Sequence, residues 1–282
     1  MNRERSTMNI QIQYASDLHL EHHDRRNDGY LIPSMFVKPS APYLALCGDI
    51  GNPDLVAYGA LLGWCSKSWK HVFVVAGNHE FYNYRSEAHS DIQTRLNKMR
   101  EICSHYKNVH FLDCDSYFLA EHNLRILGCT LWSDTSSGDE KMILRCMNDA
   151  RNILYDKETP LLPHLMTHLH NQHKEWLDKE IQSANHRKED VLVLTHYLPS
   201  FKLIHEKYAN NPLNICFASD CEDLIQAPVK GWICGHSHTA VSLEINGVKC
   251  AMNPYGYPGE RCETQNASAV LELGTKEMIV DI

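Results

Sequence analysis

The chain has 282 residues, of which 43% are hydrophobic and 22% charged, which is the balance of an ordinary globular protein. A net charge of −8 and the absence of a basic tract argue against sequence-independent nucleic-acid binding. Eleven cysteines without a Cys-x-x-Cys pair argue against a disulfide framework and a thiolate zinc site. Residues 1–9 lack an apolar signal core and no apolar run approaches about 18 residues, so we expect a cytoplasmic protein without membrane contact.

Five short apolar segments are predicted strands, and each is followed directly by side chains that can bind a metal ion. The segments and the side chains after them are 9–15 with Asp17 and His19, 43–47 with Asp49, 71–75 with Asn78 and His79, 191–195 with His196, and 230–234 with His236 and His238. Because α/β folds place their chemistry at strand ends, we expect these side chains to converge.

The remaining predicted elements lie between and after these strands. Helical patterns cover residues 54–69, 86–106 and 165–181, and further strands are expected at 109–112, 117–120, 125–131, 241–245, 248–252, 267–273 and 277–282. Asn246-Gly247 predicts a tight hairpin. Residues 133–190 carry no site motif, and we expect them to form an insertion or lid within a single domain of residues 1–282.

The candidate ligands are carboxylates, imidazoles and one amide. The set consists of Asp17, His19, Asp49, Asn78, His196, His236 and His238. A closed structural zinc site needs only four ligands, so seven candidates predict two metal ions with open positions for water and substrate. Oxygen and imidazole donors suit Mn, Fe, Zn or Co.

The five motifs, in this order along the chain, resemble the calcineurin-like metallophosphoesterase superfamily. They are Asp17-x-His19, Gly48-Asp49, Gly77-Asn78-His79-Glu80, His196 and Gly235-His236-x-His238. The resemblance covers essentially the whole chain. It implies a four-layer α-β-β-α sandwich, with two mixed sheets packed face to face and a dinuclear metal site at the strand ends.

The resemblance also implies a role for each motif residue. Asp17, His19 and His238 would hold one ion, Asn78, His196 and His236 would hold the other, and Asp49 would bridge the two. His79 would contact the phosphate and protonate the leaving oxygen.

Three positions depart from the superfamily pattern or extend it. Relatives often carry an aspartate at the position of Asn52, where it orients the acid histidine, so the partner of His79 is left open. Tyr197 stands where some members have a histidine that faces the substrate. Tyr255 belongs to a late Asn-Pro-x-Gly-Tyr-Pro turn and either flanks the substrate or shapes the turn. With Asn78 and His79, the two tyrosines are the predicted substrate contacts.

The implied activity is hydrolysis of a phosphodiester or small nucleotide-like phosphoester by metal-bound hydroxide, with manganese as the first candidate metal. A phosphomonoesterase, a protein phosphatase and a nuclease are the alternatives within the same superfamily. A non-catalytic scaffold is disfavoured because no ligand position is lost. The helix candidate at 165–181 and the residues before it carry His164, His168, His170 and His173, which we interpret as a polar helix surface.

Overall fold

Two mixed β-sheets form the centre of the computed structural model, which describes residues 8–23, 32–83, 89–260 and 265–275. The strands are β1 (Met8–Ala15), β2 (Tyr43–Cys47), β3 (His71–Val75), β4 (Val109–Phe111), β5 (Asp115–Leu119), β6 (Leu124–Gly128), β7 (Asp190–Leu194), β8 (Val229–Cys234), β9 (Val241–Ile245), β10 (Val248–Met252) and β11 (Val270–Thr275).

The strand order places all the motif-bearing strand ends near one another. The first sheet runs β11-β1-β2-β3-β4, and only β11 is antiparallel to its neighbour. The second sheet runs β5-β6-β7-β8-β10-β9, with a parallel centre and an antiparallel pair at each edge. Since parallel strands end at the same edge of a sheet, the loops after β1, β2 and β3 meet there, and so do those after β7 and β8.

Helices cover the outer faces of both sheets. They are α1 (Leu20–His23), α2 (Val56–Ser68), α3 (Ile92–Ser104), α4 (Glu140–Cys146), α5 (Asp149–Asn152) and α6 (Pro163–His186). The α2 and α3 helices pack on the first sheet and α6 on the second, which gives the predicted four-layer sandwich. None of the helices in the described ranges is long and apolar enough to cross a membrane.

The inner faces of the two sheets form an apolar core. Phe73 and Val75 of the first sheet lie in one apolar cluster with Ile126, Leu192 and Ile233 of the second, and all five side chains are buried. Alternate residues of the same strands face the helices instead, so these central strands are apolar on both faces. That double burial explains why they read as unbroken apolar runs in the sequence.

The helix predicted at residues 86–106 begins later than expected. The described residues place its first turn at Ile92, because the Asp91 side chain caps the helix by accepting from the Thr94 N–H at 2.8 Å. The helix predicted at 165–181 is longer, starting at Pro163 and ending at His186. The start of the first prediction (residues 86–88) and the strand predicted at 277–282 lie outside the described residues.

The strand predicted at 125–131 also stops early, at Gly128. Leu131 and Trp132 adopt left-handed backbone angles, with φ of 72° and 53°, that a strand cannot contain. The side chains of His170 and His173 hold this turn: the first lies 3.2 Å from the Leu131 carbonyl, and the second accepts from its N–H at 3.1 Å. Both histidines are buried, so placing them on a polar helix surface was wrong, while His164 and His168 are exposed as expected.

We predict that Phe73→Ala lowers the free energy of unfolding by about 3–5 kcal/mol, because it leaves a cavity between the sheets. Urea denaturation followed by circular dichroism measures this change. Val56→Ala is the control: Val56 is 89% exposed and its truncation should change stability by at most about 0.5 kcal/mol. Equal unfolding midpoints for the two variants would contradict this description of the core.

Candidate metal centre

All seven predicted ligands lie together at the ends of β1, β2, β3, β7 and β8. The turns that carry them are strained: Asp17, His19, Asp49, His236 and His238 have φ between 46° and 72°, a region that side-chain-bearing residues seldom adopt. Such strain concentrates at functional sites, where the surrounding structure must enforce it.

Hydrogen bonds between neighbouring turns enforce these conformations. The N–H groups of Asp17 and His19 donate to the carbonyls of Gly48 and Asp49, both at 2.9 Å. The His236 N–H donates to the Asp17 carboxylate at 3.0 Å. Each turn is therefore fixed by a turn from another strand, so the side chains meet in a defined arrangement.

Two glycines of the motifs are required by close packing. Gly48 has φ of 81°, and a Cβ there would overlap the His196 ring. A Cβ on Gly77 would overlap the carboxylate of Asp49. These contacts explain why glycine precedes Asp49 and Asn78 in the sequence.

The first cluster consists of Asp17, His19 and His238. The two imidazole Nε2 atoms are 3.0 Å apart, and His238 Nε2 lies 3.4 Å from Asp17 Oδ1. The opposite ring nitrogens face carboxylates: His19 Nδ1 is 3.2 Å from Glu21 Oε1, and His238 Nδ1 is 2.6 Å from Glu260 Oε2. Protons on Nδ1 leave both Nε2 lone pairs directed at the same point beside Asp17.

The second cluster consists of Asp49, His196 and His236, with Asn78 beside them. His196 Nδ1 must donate to the Cys47 carbonyl at 2.9 Å, while its Nε2 faces Asn78 Oδ1 at 3.1 Å and Asp49 Oδ2 at 3.4 Å. Within the part of the chain that the structure describes, His236 Nε2 is buried without a hydrogen-bond partner.

Asp49 links the two clusters, since its Oδ2 also lies 3.8 Å from His19 Nε2. Carboxylate oxygens and imidazole nitrogens whose lone pairs face one another in this way need a proton or a cation between them. Burial opposes protonation of His196, but the Asp49 and Asp17 carboxylates outweigh it and raise the pKa of His196 to about 9. The donor set of oxygens and imidazoles therefore fits two divalent cations, which would replace such protons.

Asp149 fixes the orientation of Asn78, and sequence reasoning missed it. Its Oδ1 accepts from Asn78 Nδ2 at 2.9 Å and from the Tyr82 hydroxyl at 2.7 Å. With its amide nitrogen held in this way, Asn78 turns its oxygen towards His196. Asp149 lies within residues 133–190 and belongs to no motif, so no sequence signal identified it.

The Glu80 carboxylate holds together the turns that follow β2 and β3. It accepts from the N–H groups of Asp49, Ile50 and Gly77 at 2.9, 2.7 and 2.8 Å. The side chain is completely buried. Glu80 therefore links the loop after β2 to the loop after β3, which explains why it follows His79 in the motif.

His79 lies beside the clusters without belonging to the seven-ligand set. Its N–H donates to Asp49 Oδ1 at 2.8 Å, its Nδ1 is 3.1 Å from Glu21 Oε1, and its Nε2 is 2.9 Å from the Tyr257 hydroxyl. Burial lowers the pKa of His79, but the Asp49 and Glu21 carboxylates outweigh burial and raise it above the ordinary value.

The buried carboxylate of Glu21 lies between the imidazoles of His19 and His79, and His22 Nε2 is 3.7 Å from the same oxygen. Burial opposes its ionisation, yet hydrogen bonds from His19 and His79 outweigh that effect and lower the pKa of Glu21 to about 2. Asn52, at the position where relatives place an aspartate, lies elsewhere: its Oδ1 accepts from Arg95 at 3.1 Å.

The two predicted substrate-contacting tyrosines do not line the cavity over the clusters. Tyr197 is fully buried, with its ring 4.2 Å from that of His236 and 5.5 Å from that of Trp132. Tyr255 packs on Phe36 with their ring centroids 4.7 Å apart. Tyr257, from the same turn as Tyr255, lines the cavity instead.

A cavity of about 400 Å³ opens directly over the clusters. Its floor includes Asp49, Asn78, His79, His236 and His238. Apolar and amide side chains form the walls, among them Met147, Asn148, Ile204, Asn211, Leu213, Asn214 and Phe217. Such a mixture is typical of small-molecule sites.

Two clusters that could hold metal ions lie at the strand ends of this four-layer sandwich. A family model for calcineurin-like phosphoesterases matches residues 12–240, which is most of the chain. The chain belongs to the calcineurin-like phosphoesterase family and is a metal-dependent phosphoesterase. Membership implies a dinuclear divalent-metal site.

Individual proteins are similar to this chain in sequence or in fold. The chain is 27% identical over 281 residues to an uncharacterized protein of Acanthamoeba polyphaga mimivirus, covering 96% of this chain and 98% of that protein. Among solved structures, a phosphopantetheinyl hydrolase of Mycobacterium tuberculosis matches with a TM-score of 0.65 at 16% identity, covering 93% and 95% of the two chains. A dimetal phosphatase of Danio rerio matches with a TM-score of 0.55 at 15% identity, covering 95% of this chain and 99% of that chain. Both structures share the fold.

We predict that Asp49→Asn abolishes metal binding, because it removes the negative charge that faces both His19 and His196. Asparagine tolerates the left-handed backbone at this position, so the fold should persist. Elemental analysis after dialysis should find about two metal equivalents in the unaltered protein and far fewer in the variant.

The control for this prediction is Asp223→Asn, because that carboxylate is 63% exposed and pairs with Lys174 on the surface. It should retain the metal content of the unaltered protein. A folded Asp49→Asn protein that keeps two equivalents would contradict a bridging role for Asp49.

Proposed function

We propose that this protein hydrolyses a phosphodiester or a small nucleotide-like phosphoester at a dinuclear metal site held by the seven predicted ligands. The observation that supports it most directly is the geometry of the two clusters. Their ligand atoms are linked by Asp49, and His79 lies beside them with one ring nitrogen directed at the cavity.

The charge of the site supports a role for cations in binding phosphate. Asp17, Asp49, Glu21 and Glu260 all lie within or beside the clusters, and none of the described residues lining the cavity is a lysine or arginine. An anionic phosphate would be repelled by these carboxylates alone. Two divalent cations reverse that charge and make the floor of the cavity attractive to phosphate.

Each step of the reaction can be assigned to a group. Two divalent cations held by the seven proposed ligands would supply Lewis-acid stabilisation of the phosphoryl oxygens and a more acidic water molecule. The water oxygen forms the new P–O bond as the bond to the leaving oxygen breaks, and a proton of the water passes to solvent. His79 Nε2 donates its proton to the leaving oxygen, which departs as an alcohol.

The cavity supports a small substrate with a neutral leaving group. Its volume of about 400 Å³ is that of a small-molecule site. Ile204, Leu213 and Phe217 offer apolar contacts, and Asn148 and Asn211 offer hydrogen bonds. The net charge of −8 and the lack of lysine or arginine among the described residues lining the cavity favour this class over nucleic acid.

Residues 133–190 and the choice of metal complete the proposal. Cys146, Met147 and Asn148 line the cavity, which supports the view that this segment partly covers the site as a lid within a single domain. Carboxylate, imidazole and amide ligands accept Mn, Fe, Zn or Co, and manganese is the first metal to supply in an assay.

We predict that His79→Asn keeps its metals and loses activity selectively. A poor alkyl leaving group needs the proton that His79 donates, so its turnover should fall about 10²- to 10⁴-fold. A nitrophenyl leaving group departs as a stable anion, so its turnover should change far less. Turnover of both esters at saturating manganese, beside elemental analysis, measures the effect. Unchanged alkyl turnover would exclude the acid role.

A substitution in the apolar wall of the cavity tests the proposed substrate class. We predict that Leu213→Ala raises KM about 3- to 10-fold for a nucleoside phosphodiester, since it removes apolar contact with the leaving group. KM for a methyl phosphodiester, too short to reach the wall, should stay the same, and kcat should change little. An equal change in KM for both esters would argue against leaving-group binding there.

A further inference from the structure

We propose that Glu21 is the residue that positions His79 for proton transfer. This inference rests on the acid role of His79 in the proposed function. The sequence leaves the partner of that histidine open, because the expected aspartate position is occupied by Asn52.

The geometry points to Glu21 from the side of the histidine. His79 Nδ1 lies 3.1 Å from Glu21 Oε1, and both side chains are nearly buried, with 8% and 7% exposed. A proton on Nδ1 directed at this carboxylate fixes the ring plane. The opposite nitrogen, Nε2, then faces the cavity, where the Tyr257 hydroxyl lies 2.9 Å away. A leaving oxygen would have to approach His79 near this point.

Glu21 is itself held in place. Its Oε1 also lies 3.2 Å from His19 Nδ1 and 3.7 Å from His22 Nε2, so one oxygen atom contacts three imidazoles. The backbone passes close beside it, since a Cβ on Gly51 would lie 3.4 Å from Glu21 Oε2. A carboxylate confined in this way can keep a neighbouring ring in one orientation.

Asn52 does not compete for this role. Its Oδ1 accepts from Arg95 Nη1 at 3.1 Å and from the Asp54 N–H at 2.9 Å. Its amide nitrogen donates to the Tyr82 carbonyl at 3.4 Å. The side chain therefore stabilises the loop after β2, and a carboxylate at this position would pair with Arg95 rather than with His79.

The shared oxygen gives Glu21 a second contact that the test must separate from the first. Loss of Glu21 also loosens His19, a proposed metal ligand. Weaker metal binding would slow the hydrolysis of all esters equally, and this effect would disappear at saturating metal. Misplacement of His79 would slow the hydrolysis only of esters that need a proton on the leaving oxygen, at every metal concentration.

The test compares Glu21→Ala and Glu21→Gln at saturating manganese. The alanine variant should lose about 10- to 100-fold in kcat for an alkyl phosphodiester, with nitrophenyl turnover within about 3-fold of the unaltered protein. The glutamine variant keeps an oxygen that can accept from both rings, so it should recover part of the loss. Equal slowing of both esters by Glu21→Ala would overturn the proposal.

A double-mutant cycle gives an independent criterion. In a His79→Asn background, Glu21→Ala should reduce alkyl turnover no further, because the two side chains act as one unit. Multiplicative losses would show that Glu21 acts through something other than His79. Asn52→Asp is the control: it should neither change alkyl turnover nor rescue Glu21→Ala, and rescue would assign the positioning role to residue 52.

A readout without activity keeps this inference separable from the proposed function. In the metal-free protein, the hydrogen-bonded Nδ1 proton of His79 should give a low-field proton NMR signal, assigned by its absence in His79→Asn. We expect Glu21→Ala to remove it and Asn52→Asp to retain it. A signal that persists in Glu21→Ala overturns the inference even if the protein is active. An unaltered protein that hydrolyses no phosphoester overturns the proposed function, while loss of the signal in Glu21→Ala would still show that Glu21 pairs with His79.

Discussion

The structure depends on the burial of two carboxylates, Asp17 and Asp49, among imidazoles at the ends of parallel strands. Both side chains are almost completely inaccessible to solvent. Unpaired buried charge is strongly unfavourable, so these groups are tolerable only when hydrogen-bond donors, protons or cations surround them. Backbone N–H groups of other turns supply part of that compensation. Two divalent cations would supply the rest, so the electrostatic demand that constrains the fold is also the basis of the proposed metal centre.

The fold meets this demand by distributing the site over five turns that fix one another. The glycines before Asp49 and Asn78 permit the close approach, and Glu80 links the two loops through their N–H groups. Three further carboxylates contact the proposed metal ligands: Glu21, Asp149 and Glu260 contact His19, Asn78 and His238 respectively. Outer groups of this kind set the direction of ligand lone pairs and so tune metal affinity.

The sequence was sufficient to predict the strands that carry the site and the convergence of the seven side chains. Each side chain follows an apolar run, and an α/β fold places the ends of such strands at one edge of the sheet. It could not identify Asp149, which meets Asn78 across 71 positions of chain through tertiary packing alone. It could not identify Glu21 as a partner of His79 either, because that pairing depends on how the turn after β1 folds over the turn after β3. His170 and His173 differ: they fall on the buried stripe of α6 with Met166, Leu177 and Ile181, and this spacing already indicated burial.

Anomalous diffraction from crystals grown with manganese tests the account most directly, because it reports where cations bind without reference to turnover. We predict two peaks about 3.5–4 Å apart, one beside Asp17, His19 and His238, the other beside Asn78, His196 and His236, with Asp49 between them. A single peak, or two peaks away from Asp49, would contradict a dinuclear centre built from these strand ends.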